Sequence, residues 1–297
     1  MSVAVSVRGR ITPNAPLAPL VWFKSGGAAE TLFEPADQDD LIAFLHETDP
    51  AIPLMALGLG SNMIVRDGGV PGITVRLGKP FAFAKAWGDG ETMTCGGGTS
   101  GILVSSTARD AGIAGLEFLR SIPGTVGGFV KMNGGAYGSE VADVLLSAFV
   151  IRRDGNGVAM SAQELGFSYR HSNLPPDAIV AEATFRGTPG DPAAIQVEMD
   201  RIAAAREASQ PLRSRTSGST FKNPPGHKAW VLIDEAGCRG LTIGDAQVSS
   251  KHCNFLLNLG SATSRDIEAL GEEVIARVEA RSGVRLEWEI QRLGVEG

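Results

Sequence analysis

Three glycine-rich segments are the first places in this chain where residue types and spacing indicate chemistry. Residues 96–101 have the G-x-G-x-x-G spacing of a dinucleotide-binding turn between a strand-like run and a helix-like run. A Rossmann site also requires an apolar strand ending in an acidic residue ~20 residues later, and LEFLRSIPG stands there instead. A cofactor role and a strand-to-helix turn that needs glycine for close backbone approach both remain open for this segment.

The second segment, residues 58–62, lies between two short apolar runs. Its backbone N–H groups and the Ser61 and Asn62 side chains can converge on an anion without a helix. The alternative is a tight turn with no ligand. The sequence has no mononucleotide P-loop, because no Gly-Lys pair is followed by Ser or Thr: Gly78 and Lys79 are followed by Pro80.

The third segment has six glycines in the fifteen residues 124–138, together with Asn133 and a preceding Pro123. A connecting loop does not need so many glycines, whereas a ligand that lies close against the backbone does. Of the 38 glycines in 297 residues, twelve fall within residues 96–138 and five within 58–72. The glycine excess is therefore concentrated where a ligand is expected.

Composition and charge narrow the classes of partner. The net charge of −6 and the lack of a basic cluster argue against nucleic acid. No apolar run approaches the ~18 residues of a membrane span, so we expect a cytoplasmic protein without membrane insertion. Cys95, Cys238 and Cys253 are too scattered for a disulfide framework, and no metal-ligand spacing occurs, so free thiols and no bound metal are expected.

The segments must be positioned by secondary structure, and the sequence predicts both helices and strands, which indicates an α+β protein. Leu41, Phe44 and Leu45 form one apolar stripe of a helix over residues 37–48, with Asp37 as its N-cap. Further helices are predicted over 193–208, 228–236 and 263–281, the last opened by a capping box of Thr263 and Asp266. Strands are predicted over 54–57, 73–77, 81–87, 92–95, 144–152, 158–161 and 179–185, with hairpins joining 81–87 to 92–95 and 144–152 to 158–161.

Five runs in order resemble one known family. They are GLGSNMIVRDGGVPG (58–72), GLEFLRSIPGTVGGFVKMNGGAYG (115–138), SYRHSNLP (168–175), GSTFKNP (218–224) and AQVSSKHCNFLLN (246–258). Together they resemble the UDP-N-acetylenolpyruvoylglucosamine reductases, also called UDP-N-acetylmuramate dehydrogenases, from VWFKSGG (21–27) to LEWEIQRLG (286–294). The strand over 179–185 runs through GTPGDP directly into the next helix, which resembles the type II branch that lacks an inserted tyrosine-bearing loop.

The resemblance implies a fold and a domain order. It implies a two-subdomain FAD-binding fold of the vanillyl-alcohol oxidase type (PCMH type) plus a smaller C-terminal α+β substrate-binding domain. The expected boundaries are residues 1–78 for FAD subdomain 1, 79–208 for FAD subdomain 2 and 209–297 for the substrate-binding domain, with the last strand returning to subdomain 1. The polar segment 209–219, with Pro211, supports a boundary near residues 205–217.

The resemblance also implies an activity in bacterial cell-wall peptidoglycan synthesis. NADPH would reduce a non-covalently bound FAD, and flavin N5 would pass hydride to the enolpyruvyl CH₂ carbon of UDP-N-acetylglucosamine enolpyruvate, giving UDP-N-acetylmuramate. A monomer is expected. Two rival interpretations are a flavin oxidase of the same fold and a non-catalytic flavin-nucleotide-binding module. Oxidases of this fold commonly attach FAD covalently through a histidine. None of the four histidines of this chain lies in the glycine-rich stretches 58–72 and 96–138, which favours non-covalent FAD.

Three matched positions meet the needs of that reduction, in which hydride addition leaves enolate charge beside the substrate carboxylate. Arg170 would hold the carboxylate, Ser219 would donate the proton, and Glu289 would help to polarise the substrate. Taken alone, Arg170 fits a surface ion pair, Ser219 a turn or cap, and Glu289 the solvated face of a C-terminal strand shared with Glu287. Their occurrence together argues against a non-catalytic module.

The remaining site residues are carried over from the same motifs. The expected FAD contacts are Gly58, Gly60, Ser61, Asn62, Ile122, Gly124, Thr125, Gly127, Gly128, Asn133, Gly135 and Ala136. Lys222 and Asn223 are candidates for substrate binding, with a turn lysine and an Asx-turn as alternatives, and His252 is a similar candidate. Trp288 and Gln291 depart from the proline and the basic residue common in the family, and Arg292 is a possible substitute for the missing base.

Overall fold

The computed structural model describes residues 7–297, so the first six residues of the expected segment 1–78 lie outside the described residues. The described chain is α+β, as predicted. Its strands are β1 Arg10–Pro16, β2 Ala28–Glu34, β3 Leu54–Leu57, β4 Met63–Val65, β5 Val70–Arg76, β6 Ala84–Ala86, β7 Thr92–Gly96, β8 Ile113–Ala114, β9 Gly135–Ala136, β10 Ser139–Glu140, β11 Leu145–Ile151, β12 Gly157–Ser161, β13 Ile179–Arg186, β14 Thr188–Pro189, β15 Thr242–Ile243, β16 Ala246–Val248, β17 Leu256–Asn258 and β18 Gln291–Leu293. Its α-helices are α1 Gln38–Glu47, α2 Gly101–Asp110, α3 Val126–Lys131, α4 Val141–Val144, α5 Pro192–Ser209, α6 Ala229–Glu235 and α7 Ser264–Ser282.

The helices begin where the sequence places their caps. At α1, the Asp37 carboxylate accepts a hydrogen bond from the backbone N–H of Asp40 at 2.9 Å. At α7, Thr263 and Asp266 form the predicted capping box, in which each side chain accepts from the other residue's backbone N–H. The predicted apolar stripes are buried in each helix for which one is predicted: Leu41, Phe44 and Leu45 in α1, Ile195, Met199 and Ile202 in α5, and Ile267, Leu270, Val274 and Val278 in α7.

The largest sheet has five antiparallel strands in the order β12-β11-β13-β7-β6. Both predicted hairpins, β6 with β7 and β11 with β12, are confirmed. The predicted strand over 81–87 is too long, because Lys79–Phe81 forms a 3-10 turn in which Phe81 N–H donates to Gly78 O at 3.1 Å. Phe81 is buried, so its side chain goes into a core and only Ala84–Ala86 joins the sheet.

Smaller sheets complete the fold. One has the order β1-β2-β5-β3, in which β3 and β5 are parallel with Leu54 opposite Ile73. Strands β15, β16 and β17 form an antiparallel sheet, β14 pairs with β8, and β18 runs parallel to β4. Strand β18 therefore brings the C-terminal segment beside Met63–Val65.

Two compact units account for the tertiary contacts. The first unit contains Thr31–Gly58 and Gly72–Ala205 together with the described residues up to Pro13, and the second contains Asn14–Glu30, Leu59–Pro71 and Arg206–Gly297. Two hydrophobic cores lie in the first unit, one around Phe129 and Phe185 and one around Phe33 and Phe44. A third core lies in the second unit, under α7. The division at residues 78 and 208 stays a prediction.

Candidate active site

The segment 96–101 is filled by protein rather than open to a ligand. A Cβ atom added to Gly97 would lie 1.9 Å from Val180 O, and one added to Gly101 would lie 2.0 Å from Leu119 O. The N–H groups of Gly97 and Gly98 donate to Ala181 O and Phe81 O at 2.6 and 2.9 Å. Of the two alternatives for this segment, the structural turn is supported: glycine is needed because neighbouring backbone passes closely.

The turn at residues 96–101 is bonded to the glycine-rich segment 124–138 of the same unit. Gly127 N–H donates to Gly97 O at 2.9 Å, which anchors the start of α3. Thr125 is the N-cap residue of α3, and its hydroxyl makes no capping bond to that helix. A Cβ atom on Gly58 would lie 2.6 Å from the Thr125 Oγ1, so the predicted FAD contacts of two separate loops meet here.

The residues at this meeting point fit an FAD diphosphate. A Cβ atom on Gly128 would find no heavy atom within 4 Å, so open space lies beside α3. Gly124, just before the N-cap residue Thr125, has a φ of 131°, a conformation in which only glycine is relaxed. Backbone N–H groups and small hydroxyls are suited to binding phosphate oxygens without a basic side chain.

Gly58 belongs to the first unit, but the rest of the glycine-rich segment 58–62 belongs to the second unit. Gly60 has a φ of 62°, and a Cβ atom there would lie 2.7 Å from Val21 Cα, so glycine is required at this turn. Ser61 is buried. The Asn62 amide donates to the backbone carbonyl of Glu289 at 3.3 Å, and Gln291 N–H donates to Asn62 O at 3.1 Å. Asn62, a predicted FAD contact, is therefore bonded to the segment that carries Glu289, a predicted catalytic residue.

Strands β9 and β10 form a tight hairpin that contains the last predicted FAD contacts, Gly135 and Ala136. Its two turn residues, Tyr137 and Gly138, have φ values of 55° and 88°, which is typical of the turns that suit the twist of a two-residue hairpin. Ile122 packs against the core of this unit. Asn133 is fully buried and accepts from Ala142 N–H at 2.9 Å, while its amide nitrogen donates to Ser168 O at 3.1 Å.

Arg170 sits at the tip of a two-residue turn in the first unit. Ser168 and His171 close the turn by exchanging two backbone hydrogen bonds of 3.1 Å. The φ of Arg170 is 56°, and its Nη2 donates to Gly135 O at 3.3 Å. The guanidinium carbon lies 5.1 Å from the ring centroid of Tyr169, which is within cation–π distance.

Ser219 and Glu289 lie in two segments of the second unit that run antiparallel to each other. Thr220 O accepts from Glu289 N–H at 2.8 Å, and Phe221 forms a bridge with Trp288. Ser219 directly precedes Thr220 and follows Gly218, whose φ of 81° makes the turn into this segment. The structure therefore places Ser219 next to the backbone bond that holds Glu289. Glu289 lies two residues before β18, and the backbone partner of this stretch is the segment 220–222.

Asn254 is a residue that the sequence interpretation did not single out. Its amide is buried and makes two bonds to the backbone of Phe221: Oδ1 accepts from Phe221 N–H at 2.9 Å, and Nδ2 donates to Phe221 O at 2.8 Å. Thr220 N–H also donates to Asn254 O at 2.8 Å. The only available signal was its place in the fifth family-like run, AQVSSKHCNFLLN.

The neighbouring candidates have clear protein partners. Lys222 Nζ lies 3.4 Å from Glu287, whose side chain is 76% exposed, whereas Glu289 is half-buried. The Asn223 side chain accepts from Ala229 N–H at 3.0 Å, at the start of α6. Arg292 donates to Glu272 at 3.0 Å and stacks over Trp288, so its guanidinium is held against α7.

Titratable groups near the second-unit segments point away from cysteine chemistry. Burial raises the pKa of Cys253 to about 11, and in the first unit burial raises the pKa of Cys95 to about 12, so both thiols stay protonated near neutral pH. Burial, with a smaller contribution from the Arg239 guanidinium, lowers the pKa of His252. Within residues 7–297, no group of three or more His, Cys, Asp or Glu side chains is arranged to hold a metal ion.

Comparisons with known proteins identify the family of this chain. A family model described as FAD binding domain matches residues 29–161, and one described as UDP-N-acetylenolpyruvoylglucosamine reductase, C-terminal domain, matches residues 210–293. The UDP-N-acetylenolpyruvoylglucosamine reductase of Rhizorhabdus wittichii is 73% identical over 97% of this chain and 94% of its own length. The crystal structure of the UDP-N-acetylenolpyruvylglucosamine reductase of Thermus caldophilus is similar to this chain with a TM-score of 0.82 and 35% identity. The match covers 97% of this chain and all of that one.

A more distant structure shows the fold alone. The 6-hydroxy-D-nicotine oxidase of Arthrobacter nicotinovorans is 14% identical, with a TM-score of 0.50 over 97% of this chain and 63% of that one. The fold and the glycine-rich segments thus define a flavoprotein oxidoreductase that binds FAD in a vanillyl-alcohol oxidase type fold. Within that class, the chain belongs to the UDP-N-acetylenolpyruvoylglucosamine reductase family.

Proposed function

We propose that this protein uses NADPH and FAD to reduce UDP-N-acetylglucosamine enolpyruvate to UDP-N-acetylmuramate, a step of peptidoglycan synthesis. The observation that supports the proposal is the antiparallel pairing of the two segments that carry Ser219 and Glu289, in a chain whose glycine-rich loops fit the FAD diphosphate. The family membership supports the same reaction.

The chain's own residues supply charge and a proton. FAD, when bound, supplies the hydride that NADPH provides, and the hydride goes to the CH₂ carbon of the enolpyruvyl group. Arg170 binds the substrate carboxylate and stabilises the negative charge that develops beside it. The Ser219 hydroxyl donates its proton to the neighbouring carbon, which completes the lactyl ether, and Glu289 polarises the substrate next to Ser219. A serine can act as the acid here because the enolate carbon is a stronger base than the serine alkoxide that the proton transfer leaves.

Binding residues complete the proposal. The FAD contacts are those expected from the sequence except the side chain of Asn133, which is buried against Ser168 and Ala142. The Gly58 and Thr125 meeting point lies at the diphosphate. Lys222 and Asn223 contribute to substrate binding from the segment that carries Ser219. Strand β13 ends at Arg186 and α5 begins at Pro192, which supports the type II branch without the tyrosine-bearing insertion.

A stopped-flow experiment tests the function. The purified protein should be yellow, should release its flavin on acid treatment and should be bleached by NADPH without oxygen. UDP-N-acetylglucosamine enolpyruvate should then reoxidise the flavin faster than air does. If reoxidation by air is fast and is unaffected by this substrate, the protein is a flavin oxidase; a bound flavin that NADPH does not bleach indicates a non-catalytic module.

The assembly and the cellular location of the protein belong to the same proposal. We propose a monomer in the cytoplasm, which light scattering and cell fractionation check. Within the described part of the chain, the helices lack the combination of length and apolar character needed to cross a membrane.

A further inference from the structure

The turn that carries Arg170 has a backbone conformation that depends on its surroundings. Arg170 has a φ of 56°, in the left-handed region that residues with a side chain adopt at a cost. The two 3.1 Å backbone bonds between Ser168 and His171 close the turn, but they lie within the turn itself. Contacts from outside the turn must therefore fix where its tip points.

The outside contact at the start of the turn comes from Asn133. Its amide nitrogen donates to Ser168 O at 3.1 Å, and its amide oxygen accepts from Ala142 N–H at 2.9 Å. The side chain is completely buried, so water cannot replace either bond. The amide provides both the donor and the acceptor at this length; an ionised aspartate keeps the acceptor and loses the donor.

The guanidinium at the tip returns to the same short stretch of chain. Arg170 Nη2 donates to Gly135 O at 3.3 Å, and Gly135 is two residues after Asn133. On the other side of the turn, Ser172 Oγ donates to Lys131 O at 2.9 Å. The turn is thus bound at its start, its tip and its end to residues 131–135, which directly precede or include the β9 hairpin strand.

We propose that Asn133 is a positioning residue for Arg170, acting through the amide bond to Ser168 O rather than through a contact of its side chain with FAD. This inference rests on the proposed role of Arg170 in binding the substrate carboxylate. Loss of the donor would let the turn rotate away from Gly135, so that Arg170 meets the carboxylate in the wrong place while flavin reduction by NADPH continues.

The test compares the two half-reactions in the FAD-loaded enzyme. For Asn133→Asp, the maximal rate of flavin reoxidation by UDP-N-acetylglucosamine enolpyruvate should fall roughly 10- to 100-fold, the size expected when a reacting group is misplaced. Flavin content, the visible flavin spectrum and the rate of reduction by NADPH should stay near those of the wild type. Asn156→Asp, a substitution in an exposed turn of the same unit, is the matched control and should change neither half-reaction.

A second pair of variants separates positioning from folding and from the proposed function. The double variant Asn133→Asp with Arg170→Ala should reoxidise as slowly as Arg170→Ala alone, because Asn133 has nothing left to position. Asn133→Ser, which is neutral, replaces Asn133→Asp if the buried carboxylate prevents folding. Additive losses, or loss of flavin from both Asn133 variants, would overturn the inference in favour of a role in FAD binding or folding. A normal rate in Arg170→Ala would instead overturn the proposed role of Arg170.

Discussion

The Arg170 turn and the Ser219 segment hold their catalytic candidates by different means. The Arg170 turn is closed by its own backbone bonds and is anchored to the rest of the first unit through the side chains of Asn133, Ser172 and Arg170 itself. The Ser219 segment has backbone partners on both sides, Asn254 on one and Glu287 and Glu289 on the other, and Asn254 adds two side-chain bonds.

The difference teaches where substitutions act. A segment with backbone partners on two sides keeps its position when one side chain changes, because the backbone bonds remain. A turn anchored by side chains loses its position when one of those side chains is replaced. We therefore expect substitutions around Ser219 to change either the chemistry or the stability, and substitutions around Arg170 to change the geometry.

The largest effect is expected at Ser219. Ser219→Ala should slow flavin reoxidation by the enolpyruvyl substrate by about 10²- to 10⁴-fold, the usual contribution of a positioned acid, and leave reduction by NADPH intact. Stopped-flow absorbance at the flavin band measures both rates, and Ser250→Ala, at an exposed serine of the same unit, is the control. Equal loss in both half-reactions would assign Ser219 to flavin binding or folding.

The next effect is expected at Arg170. Arg170→Lys keeps the charge but loses the planar guanidinium that donates to Gly135 O and that we propose binds the substrate carboxylate, so reoxidation should slow by about 10²- to 10³-fold. The same stopped-flow assay should show a higher substrate concentration at half-maximal rate. A lysine enzyme with wild-type reoxidation would mean that charge alone, and not the geometry of the turn, matters at this position.

Asn254 tests the stability of the backbone-paired segment. Asn254→Ala should lower the free energy of unfolding by about 2–6 kcal/mol, because it leaves two buried backbone groups of Phe221 without partners at about 1–3 kcal/mol each. Urea unfolding of the FAD-loaded protein measures the loss, with the exposed Asn156→Ala as control. The folded fraction of Asn254→Ala should reoxidise its flavin within a few-fold of the wild-type rate. A large loss of this rate with unchanged stability would contradict the idea that backbone bonds hold the Ser219 segment in position.

The smallest effect is expected at the two glutamates. Glu289→Gln should slow substrate turnover by about 10- to 100-fold, since a hydrogen bond to a charged group contributes about 1.5–3 kcal/mol. Glu287→Gln should be nearly neutral, because that side chain is 76% exposed and makes a single contact of 3.4 Å with Lys222. Steady-state turnover with saturating NADPH decides the ranking, and the reverse order would exchange the two assignments.

Local features of the fold could be read from the sequence because they depend on near neighbours. The Asp37 cap, the capping box of Thr263 and Asp266 and the stripe of α7 each involve residues three or four apart, and all are confirmed. The strand predicted over 81–87 is wrong at its start because Phe81 is drawn into a core by residues distant in sequence. The alternative considered for Glu289 alone, a place on the solvated face of a C-terminal strand, is not observed: Glu289 precedes β18 and its N–H donates to Thr220 O, which is distant in sequence.

The sequence by itself determined the α+β class, the family resemblance and the residue types that a flavin-dependent reduction needs, because each is carried by short motifs and local periodicity. Only the tertiary structure decided which glycines are crowded by neighbouring backbone, as Gly97 is by Val180 O, and which border open space, as Gly128 does. It also decided that Asn133 and Asn254 hold the two catalytic segments. The physical reason is that hydrogen bonds and close contacts join residues 30 or more positions apart, and no local pattern records such pairs.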